Sequence, residues 1–338
     1  MAIPSILACS AQTASWPPRC GSSAENKREA MKVFLCESIH PEALAFLRAH
    51  VEIISDPARM GEADGIINRN LQLTAEVLSG LPRLRAIAIH GTGTDGVDLP
   101  YCRAHGIRVF NVPHENADSV AELIVALTMT LLRKLHLADR LLLSGAPLSN
   151  APPELFGTEL AGKTLGLIGV GDIARRAARI LRDGFRMQVI GYSRSLTPGQ
   201  AEELGIGFCA TMDEVLARAD VVNLGVSLHA GTRGLIGQRE LSLMKPTAVL
   251  INTSRGAVID EAALFRALRD GVIAGAACDV FCQEPPTREN PLIGLPNFFA
   301  TPHIGANTDE ALRRVGMRVV EELVAVLCGG TAKNELGA

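Results

Sequence analysis

Residues 164–181 carry the feature that most constrains what this chain can fold into. An apolar, strand-like run, Thr164 to Ile168, leads into Gly169-Val170-Gly171-Asp172-Ile173-Ala174, which reads G-x-G-x-x-A. A helical pattern follows, with apolar residues at Ile173, Ala177, Ile180 and Leu181. Strand, glycine-rich turn and helix in that order are the context in which this motif marks a dinucleotide site. Gly169 admits the tight turn, Gly171 lets the backbone approach a pyrophosphate, and Ala174 lets the helix pack closely on the strand. The N–H groups of the first helical turn, which Asp172 and Ile173 open, then face the anion. The plainer alternative is a structural glycine turn in some other α/β protein.

The next apolar run, Met187 to Tyr192, is expected beside the first strand and bears on the cofactor. An NAD site usually places an acid at the tip of this strand for the ribose 2′-OH. Here the tip reads Ser193-Arg194-Ser195, with no carboxylate. A guanidinium and two hydroxyls suit a 2′-phosphate, so NADP(H) is the expected cofactor. NAD(H) stays open if Arg194 is only a solvated tip residue.

Pattern along the rest of the chain predicts an α/β protein with two Rossmann-like units. Short apolar runs at 33–36, 51–54, 65–68, 86–90 and 108–110 alternate with helical patterns at 41–49, 74–79 and 99–105, which implies parallel sheet. One long helix is predicted from Asp118 to Leu143, buried between units because its apolar content is nearly continuous. A second set of strands is predicted at 164–168, 188–192, 207–208, 221–224, 248–252, 275–279 and 298–300. A last helix, about Thr308 to Cys328, has the length to pack back on the first unit. The resulting expectation is a flavodoxin-like substrate domain of residues 31–117 and 306–338, a linking helix of 118–146, and an inserted NAD(P)-binding Rossmann domain of 147–305. Residues 1–30, rich in Ser, Ala, Pro and Cys without periodicity, are expected to be a disordered extension.

The formal charge of −3 over 338 residues gives no general pull toward nucleic acid or an anionic membrane surface. No apolar run reaches the length of a spanning helix, so neither nucleic acid nor membrane is an expected partner. The eight cysteines are scattered without C-x-x-C pairs, which fits a reducing compartment. A cytoplasmic location is expected, with organellar targeting by residues 1–30 left open. Cys278 and Cys282 stand four apart without a second ligand pair, so no metal site is expected.

Three polar residues in the second half each follow a predicted strand. Arg255 stands in Asn252-Thr253-Ser254-Arg255-Gly256, Glu284 in Asp279-Val280-Phe281-Cys282-Gln283-Glu284-Pro285, and His303 in Thr301-Pro302-His303-Ile304-Gly305. Ligands in open α/β sheets bind beyond the carboxyl ends of strands, so one crevice would receive all three. Reducing a ketone by hydride needs a proton donor at the oxygen, and a histidine titrates in the right range. A carboxylate on its other ring nitrogen would fix the tautomer and stabilise the imidazolium. An arginine can clamp a 2-oxo acid through its carboxylate. Singly, each has a dull reading: a turn histidine, a cap, a surface ion-pair partner.

At these residues the chain resembles the D-isomer-specific 2-hydroxyacid dehydrogenase family, which includes phosphoglycerate dehydrogenase and glyoxylate/hydroxypyruvate reductase. The resemblance rests on His90-Gly91-Thr92-Gly93-Thr94-Asp95-Gly96-Val97-Asp98, on Asn111-Val112-Pro113 with Ser119-Val120-Ala121-Glu122, on the Gly169 motif, on 252–256, and on Asp279 through Gly305. It implies that Arg255 binds substrate and takes part in catalysis, that Glu284 is the partner of His303, and that His303 is the acid/base. It further implies that Asp279 holds the nicotinamide carboxamide, that Thr92 and Gly93 receive the substrate carboxylate, and that Arg69 lies near the substrate. Val226 and Ser227 match the adenine-side loop, where the family more often has Pro at the latter position, and Thr253 lies among the cofactor contacts. A homodimer through the 118–143 region is implied as well. The function so implied is interconversion of a small 2-oxo acid and a D-2-hydroxy acid, of the glyoxylate/hydroxypyruvate reductase type. A short phosphoglycerate dehydrogenase and a dinucleotide-sensing corepressor are the alternatives. Substrate specificity is expected on loops around Arg69, His90 and His114, with His114 itself read as a solvated loop residue.

Overall fold

The computed structural model describes residues 30–336 except 146, 148 and 151. The extension expected at residues 1–30 lies outside the described residues but for Ala30. Chain order is β1 (Lys32–Leu35), α1 (Pro41–Arg48), β2 (Glu52–Ile54), β3 (Gly65–Asn68), α2 (Ala75–Ser79), β4 (Ala86–Ile89), α3 (Leu99–Ala104), β5 (Arg108–Asn111), α4 (Ala117–Leu132) and α5 (Leu135–Ser144). There follow β6 (Thr164–Ile168), α6 (Asp172–Phe185), β7 (Gln188–Tyr192), α7 (Pro198–Glu203), β8 (Gly207–Phe208), α8 (Met212–Arg218) and β9 (Val221–Leu224). The chain finishes with α9 (Gln238–Leu243), β10 (Val249–Asn252), α10 (Glu261–Arg269), β11 (Gly275–Cys278), β12 (Phe298–Ala300) and α11 (Asp309–Leu327).

The strands make two sheets, one in the order β2-β1-β3-β4-β5 and one in the order β12-β11-β10-β9-β6-β7-β8. Every pairing between these strands is parallel. Their sequences explain this. Ala86-Ile87-Ala88-Ile89 and Val249-Leu250-Ile251-Asn252 are buried at every position, as strands covered on both faces must be. The fold is thus mixed α/β with two parallel sheets, the second of Rossmann type.

Helices cover both faces of each sheet. α11 lays Val315, Val319, Val320 and Leu323 on the five-stranded sheet, against Val33, Ala86 and Phe110. It starts where the Thr308 hydroxyl accepts from the Ala311 N–H at 3.2 Å. α4 packs on the other sheet, bringing Ile124, Leu127 and Leu131 onto Leu165, Ile251 and α6. α6 is amphipathic as its sequence requires, with Ala174, Ala177, Ala178 and Leu181 buried.

The single helix expected from Asp118 to Leu143 is two helices. Lys134 adopts the left-handed conformation, φ 52°, and the axis breaks there. A competing loop takes the backbone acceptor that a continuing helix would use. The Thr158 N–H donates to the Leu132 carbonyl at 2.8 Å, and the Lys134 ammonium donates to the Glu154 carbonyl at 2.8 Å. Burial also differs from the expectation. α4 is buried along one face, whereas Leu142 and Leu143 of α5 are 70% and 80% exposed.

A β-branched residue is a poor occupant of a left-handed position. Lys134→Ile should therefore lower the denaturation midpoint. Lys134→Gly should lower it less.

Candidate active site

The sheet order sets the crevice. β6 lies between β7, which follows it in sequence, and β9, which the chain reaches after leaving the β7 side. Ligands of open parallel sheets bind where the strand order reverses in this way. The G-x-G-x-x-A turn sits at that point. Gly169 has φ +89°, and a Cβ there would lie 2.4 Å from the Gly225 carbonyl oxygen. A side chain is therefore excluded by both conformation and space. A Cβ at Gly171 would meet nothing within 4 Å, and no side chain caps the α6 N-terminus. The first N–H groups of α6 thus face open space in front of a backbone without side-chain bulk. That is a cradle for a pyrophosphate, and the residues present fit a dinucleotide.

Asp172 begins α6. Its carboxylate bonds the His114 Nδ1 at 2.8 Å and the Arg176 Nε at 3.2 Å. Burial would raise this carboxyl, but the bonds to His114 and Arg176 outweigh burial and hold it below the usual carboxylate range. His114 is an exposed loop residue, as read from sequence, its side chain 67% accessible, and it also partners the first residue of the glycine-turn helix. Its φ of 75° turns it toward Asp172. Ile173 packs with the cluster that α4 and α6 share.

At the end of β7, Ser193, Arg194 and Ser195 form a turn closed by the Leu196 N–H on the Ser193 carbonyl at 3.2 Å. Arg194 points its Nη2 at the Nε2 of His229, 3.2 Å away. Val226 crowds Gly169 from the β9 side, its Cγ1 2.9 Å from where a glycine-169 Cβ would stand. The Ser227 carbonyl accepts from the Thr232 hydroxyl at 2.6 Å.

The three polar residues from successive strand ends meet across the crevice mouth. Glu284 Oε2 lies 2.6 Å from His303 Nδ1, and Glu284 Oε1 accepts from the Phe281 N–H at 3.0 Å. The second bond fixes the carboxylate, the first fixes the ring, and His303 Nε2 is left to face outward. Burial would raise the Glu284 carboxyl. The His303 and Phe281 bonds and the charge of nearby Arg255 reverse this and hold it below its ordinary range. Glu284 is therefore the anion at neutral pH.

Asp279, 1% exposed, anchors the same loop. It accepts from the Thr301 hydroxyl at 2.6 Å and from the Ile304 and Gly305 N–H groups, each at 2.8 Å. The His303 N–H closes on the Asp279 carbonyl at 2.8 Å, with His303 at φ 56°. Three bonds leave a lone-pair site on the carboxylate for a further donor.

Arg255 crosses to the other sheet. Its Nε donates to both oxygens of Asp95, at 2.9 and 3.1 Å. Its Nη2 would overlap any Cβ at Gly93, at 1.4 Å, so the loop bearing Thr92 and Gly93 lies directly against the guanidinium. Thr92 is fixed through its carbonyl, which accepts from Asn111 Nδ2 at 2.6 Å. Thr253 follows β10 immediately. Behind it, the fully buried Asn252 shapes the loop: its Nδ2 donates to the Arg255 carbonyl at 2.9 Å, and its Oδ1 accepts from the Ser254 N–H and hydroxyl at 3.0 and 2.7 Å. Arg69 is placed differently from the rest, bonding Asn307 rather than joining Arg255. His90 beside it is buried, and burial together with the Arg69 charge pushes its ring down to about 4. Asp95, Asn252 and His229 are functional candidates that reading the sequence did not single out. Asp95 and Asn252 lay inside motifs already picked out, but their partners could not be read from them.

Comparison with known proteins identifies the family. Residues 125–305 match the family model described as D-isomer specific 2-hydroxyacid dehydrogenase, NAD binding domain. The chain is 34% identical over 313 residues to the D-3-phosphoglycerate dehydrogenase of Methanocaldococcus jannaschii, covering 90% of this chain and 59% of that relative. It is 35% identical over 319 residues to the glyoxylate reductase of Thermococcus litoralis, covering 90% of this chain and 96% of that relative. Among solved structures, an NADPH-dependent glyoxylate/hydroxypyruvate reductase from Sinorhizobium meliloti, in complex with NADP and malonate, superimposes with a TM-score of 0.79. Its sequence identity is 30%, over 91% of this chain and 97% of that one.

Asp279→Asn would turn an amide donor toward N–H groups that need acceptors. It should cost about 2–3 kcal/mol, the penalty of leaving buried polar groups unpaired. Chemical denaturation of the purified variant measures it, and an unchanged midpoint would show that the carboxylate is not what holds the Thr301–Gly305 loop.

Proposed function

From the D-isomer-specific 2-hydroxyacid dehydrogenase family, to which this chain belongs, we propose that it interconverts a small 2-oxo acid and the D-2-hydroxy acid, with reduction of glyoxylate or hydroxypyruvate as its activity. The observation that carries this reading is the Glu284–His303 pair, 2.6 Å between Oε2 and Nδ1, set beyond the strand ends that flank the dinucleotide cradle. The chain spans 96% of the glyoxylate reductase's length and 59% of the phosphoglycerate dehydrogenase's.

Arg255 receives the substrate carboxylate together with the N–H groups of Thr92 and Gly93, and Arg69 stands near the remainder of the substrate. Asp279 offers its remaining lone pair to the carboxamide of the nicotinamide. When bound, the reduced nicotinamide supplies the hydride that the ketone carbon takes up. His303 Nε2 gives its proton to the ketone oxygen as negative charge develops there, and Glu284 stabilises the imidazolium before that transfer. In the reverse direction His303 removes the hydroxyl proton.

NADP(H) is the cofactor in this reading. The family model describes NAD binding as a class, and the 2′ position is left to the β7 tip. There Arg194 and two serines stand where an acid would select the 2′-OH, and the S. meliloti relative with NADP lends support. The working unit is a homodimer. Leu135, Leu142, Leu143 and Phe156 are 53%, 70%, 80% and 65% exposed, apolar side chains of the kind that a second copy would cover.

Two predictions test these roles. His303→Ala should lower the rate of reduction by roughly a hundredfold or more while leaving dinucleotide affinity near wild type. Glu284→Gln should act on the pH profile of kcat/KM. Reduction needs the imidazolium, so the rate falls where His303 loses its proton. Removing the adjacent anion makes that loss easier, and the falling limb moves to lower pH. Near-normal turnover in the first variant, or an unmoved limb in the second, would sink the relay. Separately, Leu142→Glu with Leu143→Glu should convert the dimer to monomer in analytical ultracentrifugation, and a monomeric wild type would refute the assembly.

A further inference from the structure

We propose that His229 is the second arm of a two-donor clamp that, with Arg194, reads a phosphate on the adenosine 2′ position of the dinucleotide. The inference rests on the NADP(H) reading above and adds to it a residue from another strand. In the seven-stranded sheet β6 lies between β7 and β9. Arg194 stands at the end of β7 and His229 on the loop after β9. They approach from the two sides of the strand that carries the glycine turn, and they meet with Nη2 and Nε2 3.2 Å apart.

The hydrogen bonds of His229 make that meeting informative. Its Nδ1 accepts from the Gly231 N–H at 3.0 Å. A ring nitrogen that accepts carries no proton, so the proton of the neutral imidazole is on Nε2. Guanidinium nitrogens only donate. Two N–H donors therefore face each other at hydrogen-bond distance with no acceptor between them. Among the described residues, no carboxylate pairs with either side chain. The missing element is an acceptor, and one with negative charge suits the guanidinium best.

The ring is also held in place. The His229 N–H donates to Thr232 Oγ1 at 2.9 Å, and that hydroxyl donates to the Ser227 carbonyl at 2.6 Å. With Gly231 on Nδ1, this fixes the imidazole so that Nε2 faces the β7 tip. A phosphate oxygen seated beside the two nitrogens, within hydrogen-bond reach of each, accepts from both, and the hydroxyls of Ser193 and Ser195 are in the same turn as Arg194. A bare 2′-hydroxyl brings one weaker acceptor and no charge. The clamp therefore discriminates at the 2′ position, with neutral His229 sufficient for its part.

The test uses fragments lacking the nicotinamide, so binding is read without turnover. Calorimetric titration compares adenosine 2′,5′-bisphosphate with 5′-AMP for wild type, Arg194→Ala, His229→Leu and His229→Gln. Wild type should prefer the bisphosphate. His229→Leu should reduce that preference roughly tenfold, the scale of one hydrogen bond to a charged group. His229→Gln, whose amide can donate from a similar position, should restore most of it, and Arg194→Ala should reduce it at least as much as His229→Leu. The same ordering should appear in the NADPH-to-NADH ratio of kcat/KM. If Arg194→Ala abolishes the preference while His229→Leu leaves it intact, the clamp is wrong and the NADP(H) reading stands. If wild type binds both fragments equally, the NADP(H) reading fails and the clamp falls with it.

Discussion

The arrangement of the crevice depends first on one buried carboxylate. Asp279 immediately follows β11, and its two oxygens take three donors from the Thr301–Gly305 loop. Without them, the loop that follows β12 has no reason to fold back over β11. With them, His303 is forced into a left-handed backbone conformation at φ 56°, a strain that persists only where the surroundings over-determine it. The reward is that the imidazole comes within 2.6 Å of Glu284, itself fixed by the backbone of Phe281. The Glu284–His303 pair, the proposed acid/base unit, is thus built from backbone geometry, and its side chains have little freedom left to lose on meeting a substrate.

Arg255 shows the same economy on the other side. Its Nε is taken by Asp95 and its Nη1 by the Ser254 carbonyl at 2.8 Å. Nη2 remains, lying against Gly93 where no side chain could intrude. A guanidinium held by two of its nitrogens presents the third in one direction, which suits planar recognition of a carboxylate. Asp95 comes from the five-stranded sheet and Arg255 from the seven-stranded one, so this ion pair also sets where the two sheets meet around the site.

What was legible in the sequence follows from how local each signal is. The glycine turn could be read because strand, turn and helix are contiguous, and Gly169, Gly171 and Ala174 each answer a need within that unit. Arg255, Glu284 and His303 could be picked out because each closely follows an apolar run, and parallel strands deliver such residues to one edge. The Glu284–His303 pairing came through the family resemblance; the other pairings were not legible. Asp95 and Arg255 are 160 residues apart and Arg69 and Asn307 are 238 apart, and no period or spacing links them. The break at Lys134 escaped for a related reason. Apolar periodicity runs through Leu131 to Leu143 without interruption, while the break comes from Thr158 taking the Leu132 carbonyl, a contact made by a later loop. Periodicity also could not tell the buried leucines of α4 from the exposed ones of α5, since both satisfy the same helical pattern.

These facts bear on how a chain with a net charge of −3 can capture two anionic ligands. A favourable overall field is not available, and the charges lining the crevice are largely compensated within it. Asp172 is answered by His114 and Arg176, Glu284 by His303, and Arg255 by Asp95. What remains uncompensated is directional: the free N–H groups at the start of α6, Nη2 of Arg255, Nε2 of His303, and the facing donors of Arg194 and His229. Recognition here therefore depends on aimed donors held by neighbours, and it acts at contact distance where salt screens least. Such a site distinguishes ligands by where their oxygens fall, which makes the positioning residues Asp95 and Asn252 as consequential for selectivity as the groups that touch the ligand.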